Sequence, residues 1–189
     1  MKKVIAASLM ALAFGATAAT ADVKVGLGFG IDALSSLSGA LDGRTTPQAT
    51  IRIPIDFETG FRIEPEIGFS ISTNEDNFEK NDYQAVTIGI GGYYKFWKVD
   101  KVNLYAGGRL GLSKGKREYT NKNNGASNYT NDVDAINLQA LVGAEYFFVE
   151  NMSFAAQTGL ELRSATESRD DYEETSTGTV TTLVIRYFF

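Results

Sequence analysis

The sequence predicts an all-β fold: an eight-stranded antiparallel up-and-down β-barrel that crosses a membrane with its strands. Three observations carry this. Eight stretches alternate apolar and polar residues with a period of two, which is a strand with one apolar face. The connections between them are alternately long and short, as in membrane barrels. Aromatic residues collect at the short-connection end of the strands, down to the closing stretch TLVIRYFF at 182–189.

Taken in order, the chain opens on Met1-Lys2-Lys3, an apolar run from Val4 to Phe14, and small residues up to Ala19-Thr20-Ala21. A charged start, a short apolar segment and an A-x-A site predict a signal peptide over 1–21, cut before Asp22. The apolar run falls short of the ~20 residues a spanning helix needs. The mature barrel domain is then 22–189. Losing Lys2 and Lys3 from 18 basic residues leaves 16 against 23 acidic ones, a net charge of −7. That balance argues against a nucleic-acid partner.

The first strand, VKVGLGFGID, sets Val23, Val25, Leu27, Phe29 and Ile31 against Lys24, three glycines and Asp32. The second sets Ile51, Ile53, Ile55 and Phe57 against Arg52, Pro54 and Asp56. The third sets Phe61, Ile63, Pro65, Ile67, Phe69 and Ile71 against Arg62, Glu64, Glu66 and small residues. The fourth presents Val86, Ile88, Ile90, Tyr94 and Phe96, and the fifth Val102, Leu104, Leu110 and Leu112, with Arg109 on the other face. The sixth presents Ile136, Leu138, Val142, Tyr146 and Phe148 against Gln139 and Glu145. The seventh presents Phe154, Leu160 and Leu162 against Gln157, Glu161 and Arg163. The eighth presents Leu183, Ile185, Tyr187 and Phe189 against Arg186 and Phe188. Each is about the 9–11 residues a tilted transmembrane strand requires. The mean hydropathy of −0.14 hides them, because alternation averages out in a window.

The short connections are Glu58-Thr59-Gly60, Trp97 to Lys101, and Val149-Glu150-Asn151. The long ones run from Ala33 to Gln48, Thr73 to Gln84, Lys114 to Asp134 and Ser164 to Thr179, and read as polar loops. Two of the three prolines, Pro54 and Pro65, fall within predicted strands; each removes a ladder donor and leaves the register of the second and third strands open.

An apolar face turned to lipid requires the charged face to line the barrel. Three features favour that over a soluble barrel with an apolar interior. A three-residue turn with Gly60 in the left-handed position sets Asp56 opposite Arg62 and Arg52 opposite Glu66. Enclosed charges must be paired, which predicts an interior network of Arg52, Asp56, Arg62, Glu64, Glu66, Arg109, Glu145, Glu161, Arg163 and Arg186. Phe57, Phe61, Tyr94, Phe96, Trp97, Tyr146, Phe148, Phe154, Tyr187 and Phe189 form an aromatic girdle at one interface. Closure of the last strand on the first would remove the sheet edges and place Phe189 in that girdle.

With these residues in view, the end of the chain resembles the C-terminal signature of bacterial outer-membrane barrels, here Leu183, Ile185, Tyr187 and Phe189. The chain resembles the small eight-stranded OmpX and OmpA-barrel type over 22–189. The resemblance implies an outer-membrane location after secretion to the periplasm, and recognition of the signature by the barrel-assembly machinery. It also implies lipid and lipopolysaccharide as neighbours.

Little chemistry is available. Barrel enzymes that resemble this architecture use a histidine, and the chain has neither histidine nor cysteine. That excludes a Ser-His arrangement and a thiol or His/Cys metal site. Glu64 and Glu66 have the spacing of an acid/base pair, but also that of partners for Arg52 and Arg62. The glycines near 89–92 lack the helix and lysine of a phosphate loop. The acidic run Glu167 to Glu174 reads as a solvated loop before it reads as a Ca²⁺ site. No catalytic residue, metal or cofactor is expected.

Two further functions remain beside a soluble ligand-binding barrel. One is a non-enzymatic monomeric surface protein that uses its loops for adhesion, host contact or envelope integrity. Its candidate ligand site is the basic third loop with Lys114, Lys116, Arg117 and Lys122. The other is a small diffusion pore, which an eight-stranded barrel filled by Arg, Glu, Tyr93, Tyr105 and Phe147 disfavours but which gaps over the inward glycines would favour.

Overall fold

The computed structural model describes residues 23–35, 48–57, 59–75, 78–121, 128–168 and 172–189. The predicted leader, Lys122 and most of the first loop lie outside them. Nine strand segments are assigned: β1 (Val23–Ser35), β2 (Gln48–Arg52), β3 (Ile55–Phe57), β4 (Phe61–Glu75), β5 (Glu79–Val99), β6 (Val102–Asn121), β7 (Tyr129–Val149), β8 (Met152–Glu167) and β9 (Tyr172–Phe188). They form one antiparallel sheet that closes through β1–β9.

Nine segments make eight walls, because β2 and β3 are the two halves of the predicted second strand. Both pair with β1 on one side and β4 on the other. The ladder breaks at Pro54, which has no N–H to give. Its carbonyl still accepts from Gly26 N at 2.9 Å, and the Pro65 carbonyl from Ile53 N at 2.9 Å. The prolines therefore interrupt the strand without shifting it: Arg52 faces Glu66 and Asp56 faces Arg62. Gly60 takes φ +83° in the intervening turn.

The apolar faces point outward. Ile88, Leu112, Leu160 and Ile31 are each more than half exposed, while Arg52, Arg62 and Arg186 are at most 1% exposed. A soluble barrel with an apolar interior would have the opposite sorting, so that alternative is ruled out. The girdle residues face outward at the short-turn end. Bulges at Lys95/Trp97 and Phe147/Val149 let Phe96 and Trp97, and likewise Phe148 and Val149, be exposed in succession, which uninterrupted alternation forbids.

Two expectations about connections need correction. The short turns are shorter than predicted: strands continue to Val99 and Val149, leaving Asp100-Lys101 and Glu150-Asn151. The stretches Thr73–Gln84, Lys114–Asp134 and Ser164–Thr179 are mostly strand rather than loop. In them, β4 pairs β5 up to Glu75↔Lys80, β5 pairs β6 up to Glu79↔Asn121, and β6 pairs β7 up to Tyr119↔Tyr129. Backbone pairing continues there after the apolar alternation has ended. With 21, 20 and 21 residues, β5, β6 and β7 outreach β1 at 13 and β8 at 16. One side of the barrel thus rises as a wall above the last apolar row.

Candidate functional site

Two places concentrate functional side chains: the lumen and the projecting wall. Alternation sends every second side chain of each strand into the lumen, and the sequence put charge at those positions. In the lower lumen Arg62 Nε donates to Asp56 at 2.6 Å and its Nη2 to Glu145 at 2.7 Å. Arg186 Nε donates to Glu64 at 2.7 Å and its Nη1 to Glu145 at 3.2 Å. Glu64 also lies 3.5 Å from Arg62. Arg62, Glu145, Arg186 and Glu64 close a ring of alternating charge drawn from β4, β7 and β9. Ser153 donates to Glu145 at 2.7 Å, and Lys95 reaches Asp56 at 2.6 Å from the short-turn side.

A second layer lies above the first. Arg52 approaches Glu66 at 3.3 Å and Asp32 at 4.0 Å, while Arg109 approaches the same two carboxylates at 3.4 and 3.9 Å. Thr182 donates to Asp32 at 2.5 Å and accepts from Arg109 at 3.2 Å. Arg52 links the layers, 3.7 Å from Glu64. Together they hold Arg52, Arg62, Lys95, Arg109 and Arg186 against Asp32, Asp56, Glu64, Glu66 and Glu145, a balanced set. Removing such groups from water is tolerable only with this pairing.

Eight of the ten residues predicted for the network meet in it. Glu161 and Arg163 stand apart: Glu161 accepts from Gln139, and both keep partial exposure. Asp32 and Lys95 were visible on the polar face but were not assigned to the network. Asp32 is tied in by its facing neighbour Thr182 on β9 and by Arg109 across the lumen, and Lys95 by Asp56 two walls away.

The inward glycines do not leave open gaps where the long side chains lie. A Cβ on Gly143 would come within 2.6 Å of the Tyr105 ring, and one on Gly91 within 2.7 Å of Tyr93. A Cβ on Gly89 would meet Glu66 at 2.9 Å, and one on Gly28 would meet Arg186 at 3.3 Å. Small residues are where the plug rests on the wall. Tyr93 and Tyr105 meet edge-to-face at 5.6 Å. Below them Phe147 stacks on Phe188 at 5.8 Å, with the Arg62 guanidinium 5.5 Å from the Phe188 ring. Glu64 and Glu66, weighed above as an acid/base pair, are both held by arginines, so ion pairing accounts for them.

On the wall, the basic third loop resolves into strand. Lys114 and Lys116 continue the outward face beyond Leu112, whereas Arg117 points inward and lies 5.9 Å from the Tyr83 ring. Lys114 meets Asp134 at 3.1 Å, and Lys116 stands opposite Asp132. Pairing with β7 neutralises what looked basic in β6 alone. Outside the lipid belt, Lys80 donates to Asp82 at 2.7 Å and Thr73 to Asp82 at 2.8 Å. The bond to Lys80 and then that to Thr73 hold the Asp82 carboxyl below its ordinary range, and the same bond raises Lys80. No group of three or more acidic residues suited to a metal occurs among the described residues.

The C-terminal signature faces outward, its residues between 41% and 81% exposed. Leu183, Ile185 and Tyr187 stand opposite Ile31, Phe29 and Leu27 of β1. Phe189 N donates to Val25 O at 2.9 Å, and its ring packs edge-on to Tyr187 at 5.4 Å. The family model for the outer membrane protein beta-barrel domain matches residues 4–184. The chain belongs to this outer-membrane β-barrel family. No curated protein matches it in sequence. Among solved structures, family-like barrels share its fold. Neisserial surface protein A is 18% identical with a TM-score of 0.56, covering 90% of this chain and 100% of its own. A major outer membrane protein of Thermus thermophilus is 14% identical at 0.58, covering 88% and 99%. The attachment invasion locus protein Ail of Yersinia pestis is 13% identical at 0.52, covering 88% and 97%.

Proposed function

We propose that the protein is a closed, non-enzymatic monomeric barrel that holds its projecting wall outside the cell as a contact surface for adhesion, host contact or envelope integrity. The observation that carries this is the pair of charge layers, whose members come from opposing strands and meet across the lumen. Water-filled pores need a lumen free of such contacts; eight strands leave room only for side chains. The outward Lys114 and Lys116, just past the last apolar row, would meet lipopolysaccharide head groups, and the terminal aromatic signature would be read by the barrel-assembly machinery.

Planar-bilayer recording of the refolded protein tests the closed lumen. Verified insertion without openings is expected. Steady, reproducible openings would favour the small diffusion pore and move the function from the wall to the lumen. Adhesion of cells displaying the protein, compared with cells displaying a variant whose β4–β5 and β6–β7 hairpins are trimmed beyond the Ser72↔Tyr83 and Arg117↔Asn131 pairs, tests the contact surface. Equal adhesion would sink that role.

A further inference from the structure

Above the second charge layer, the inward side chains of β5 and β6 turn small and neutral: Thr87 and Ser113 face each other and share a hydrogen bond of 2.7 Å. The β7–β8 side differs. Asn137 faces Arg163 in one row, and Gln139 faces Glu161 in the row beneath, with Arg109 on the other flank of Gln139. Glu161 and Arg163 carry opposite charges two residues apart on one face of β8, yet neither has an ion partner among the described residues. Glu161 accepts one bond, from Gln139 Nε2. Arg163 Nε is shut off from solvent and has no hydrogen-bond partner. Gln139 Oε1 and Arg109 Nε are equally without partners, on side chains 7% and 4% exposed. The carboxylates of the layer beneath, Asp32 and Glu66, are held by Arg52 and Arg109; Glu174 stands opposite Ala165, one row above Arg163. Glu161 and Arg163 keep part of their surface exposed, so the group is reached from the mouth of the lumen.

We infer that this group is a binding site for a small zwitterion, an α-amino acid whose ammonium and carboxylate share one carbon. A guanidinium takes a carboxylate through two parallel N–H donors, which gives Arg163 its role. An ammonium has three hydrogens to donate, and Glu161 with the Gln139 carbonyl supplies acceptors. Two residues apart on a strand, the Cα atoms lie about 6.6 Å from each other, and both side chains are long enough to converge on a molecule of that size. A simple anion would sit beside Glu161 and a simple cation beside Arg163, each against a like charge. A neutral ligand would leave both charges as they are. A molecule carrying both signs meets the pair at once. Buried polar atoms without partners are uncommon in native proteins; those left over here are an acceptor on Gln139 and donors on Arg109 and Arg163, the two kinds that such a ligand uses. The site lies in the lumen mouth and does not depend on the contact-surface reading of the wall.

The test is calorimetric titration of the full protein in lipid nanodiscs with three probes: L-alanine, N-acetyl-L-alanine, which lacks the ammonium, and L-alaninamide, which lacks the carboxylate. L-alanine is expected to bind at least tenfold more tightly than either derivative. Glu161→Gln should bring L-alanine down to the level of N-acetyl-L-alanine, and Arg163→Gln should bring it down to that of L-alaninamide. Glu174→Gln one row above and Lys114→Gln on the outward face should each change affinity less than twofold. An unchanged heat-modified gel shift verifies that each variant is folded. Equal binding of L-alanine and L-alaninamide would reduce the site to a cation site and overturn the inference. So would binding insensitive to both β8 variants, an equal loss with Lys114→Gln, or no binding of any probe. Cell adhesion by the wall is read separately, so its presence or absence leaves the outcome of this titration unchanged.

Discussion

Arg62 and Lys114 each hold a carboxylate supplied by another strand, at 2.6 Å and 3.1 Å. Arg62 is 1% exposed and serves Asp56, Glu145 and Glu64 at once; Lys114 is 83% exposed and Asp134 63%. The lumen and the outer face of the wall therefore contain the same kind of bond in opposite surroundings. In the lumen every charge depends on several others, because water cannot replace a lost partner. On the wall, solvent takes over when a partner leaves, so those charges are free to vary with whatever the wall touches.

The comparison breaks most visibly if one lumen partner is removed. Arg62→Ala leaves Asp56 with Lys95 alone and Glu145 with Arg186 and Ser153, one buried positive charge short, and unfolding in urea from lipid vesicles should show a loss of about 3 kcal/mol. Replacing Arg62 and Glu145 together by Met and Leu should cost less than either single truncation, because no buried charge is then left alone; a larger, additive loss would contradict the network. Next comes the fit between plug and wall. Gly143→Ala pushes a methyl group into the Tyr105 ring, and about 1–3 kcal/mol of destabilisation is expected by the same titration. Lys114→Ala should cost roughly 0–1 kcal/mol, shrinking further in high salt. A loss matching that of Arg62→Ala would erase the distinction between the two regions.

The smallest effect concerns acid. Asp82 has a depressed pKa in the folded wall, so its contribution is full above the unfolded carboxylate value of about 3.9 and fades as pH falls through the lower folded one. Lys80 has a raised pKa, so its share is intact below the ordinary lysine range and is lost only as pH rises through the raised value. Hydrogen exchange in the β4–β5 hairpin should therefore accelerate in strong acid more in the native protein than in Asp82→Asn. Identical acid responses in the two would remove Asp82 as the cause.

The parts of the fold that depend on near neighbours were legible in the sequence. Period-two alternation located the walls, and a turn around Gly60 sufficed to pair Asp56 with Arg62 and Arg52 with Glu66 despite both prolines. Contacts made across the lumen were not legible. Arg62 meets Glu145 over 83 residues and Arg186 meets Glu64 over 122, and nothing local to either strand names the other. The projecting wall was hidden for a different reason. Beyond Val86, Leu112 and Ile136 both faces turn polar, so hydrophobic periodicity goes flat while the backbone stays paired. The available signal was the odd-numbered spacing of Tyr83, Arg117, Tyr119 and Tyr129, which continues the inward phase of their strands.

The bond from Phe189 to Val25, with the β1–β9 register behind it, makes the closing seam the contact between the most distant parts of the described chain. Time enters here. Every other pairing joins strands that follow one another in sequence or nearly so, but one edge of β1 must wait for β9. Non-local pairing of this kind is slow and leaves strand edges exposed meanwhile. Until the last strand arrives, the chain is an open ribbon with two adhesive borders. The pairing that closes the ring is thus the last that the order of the strands allows.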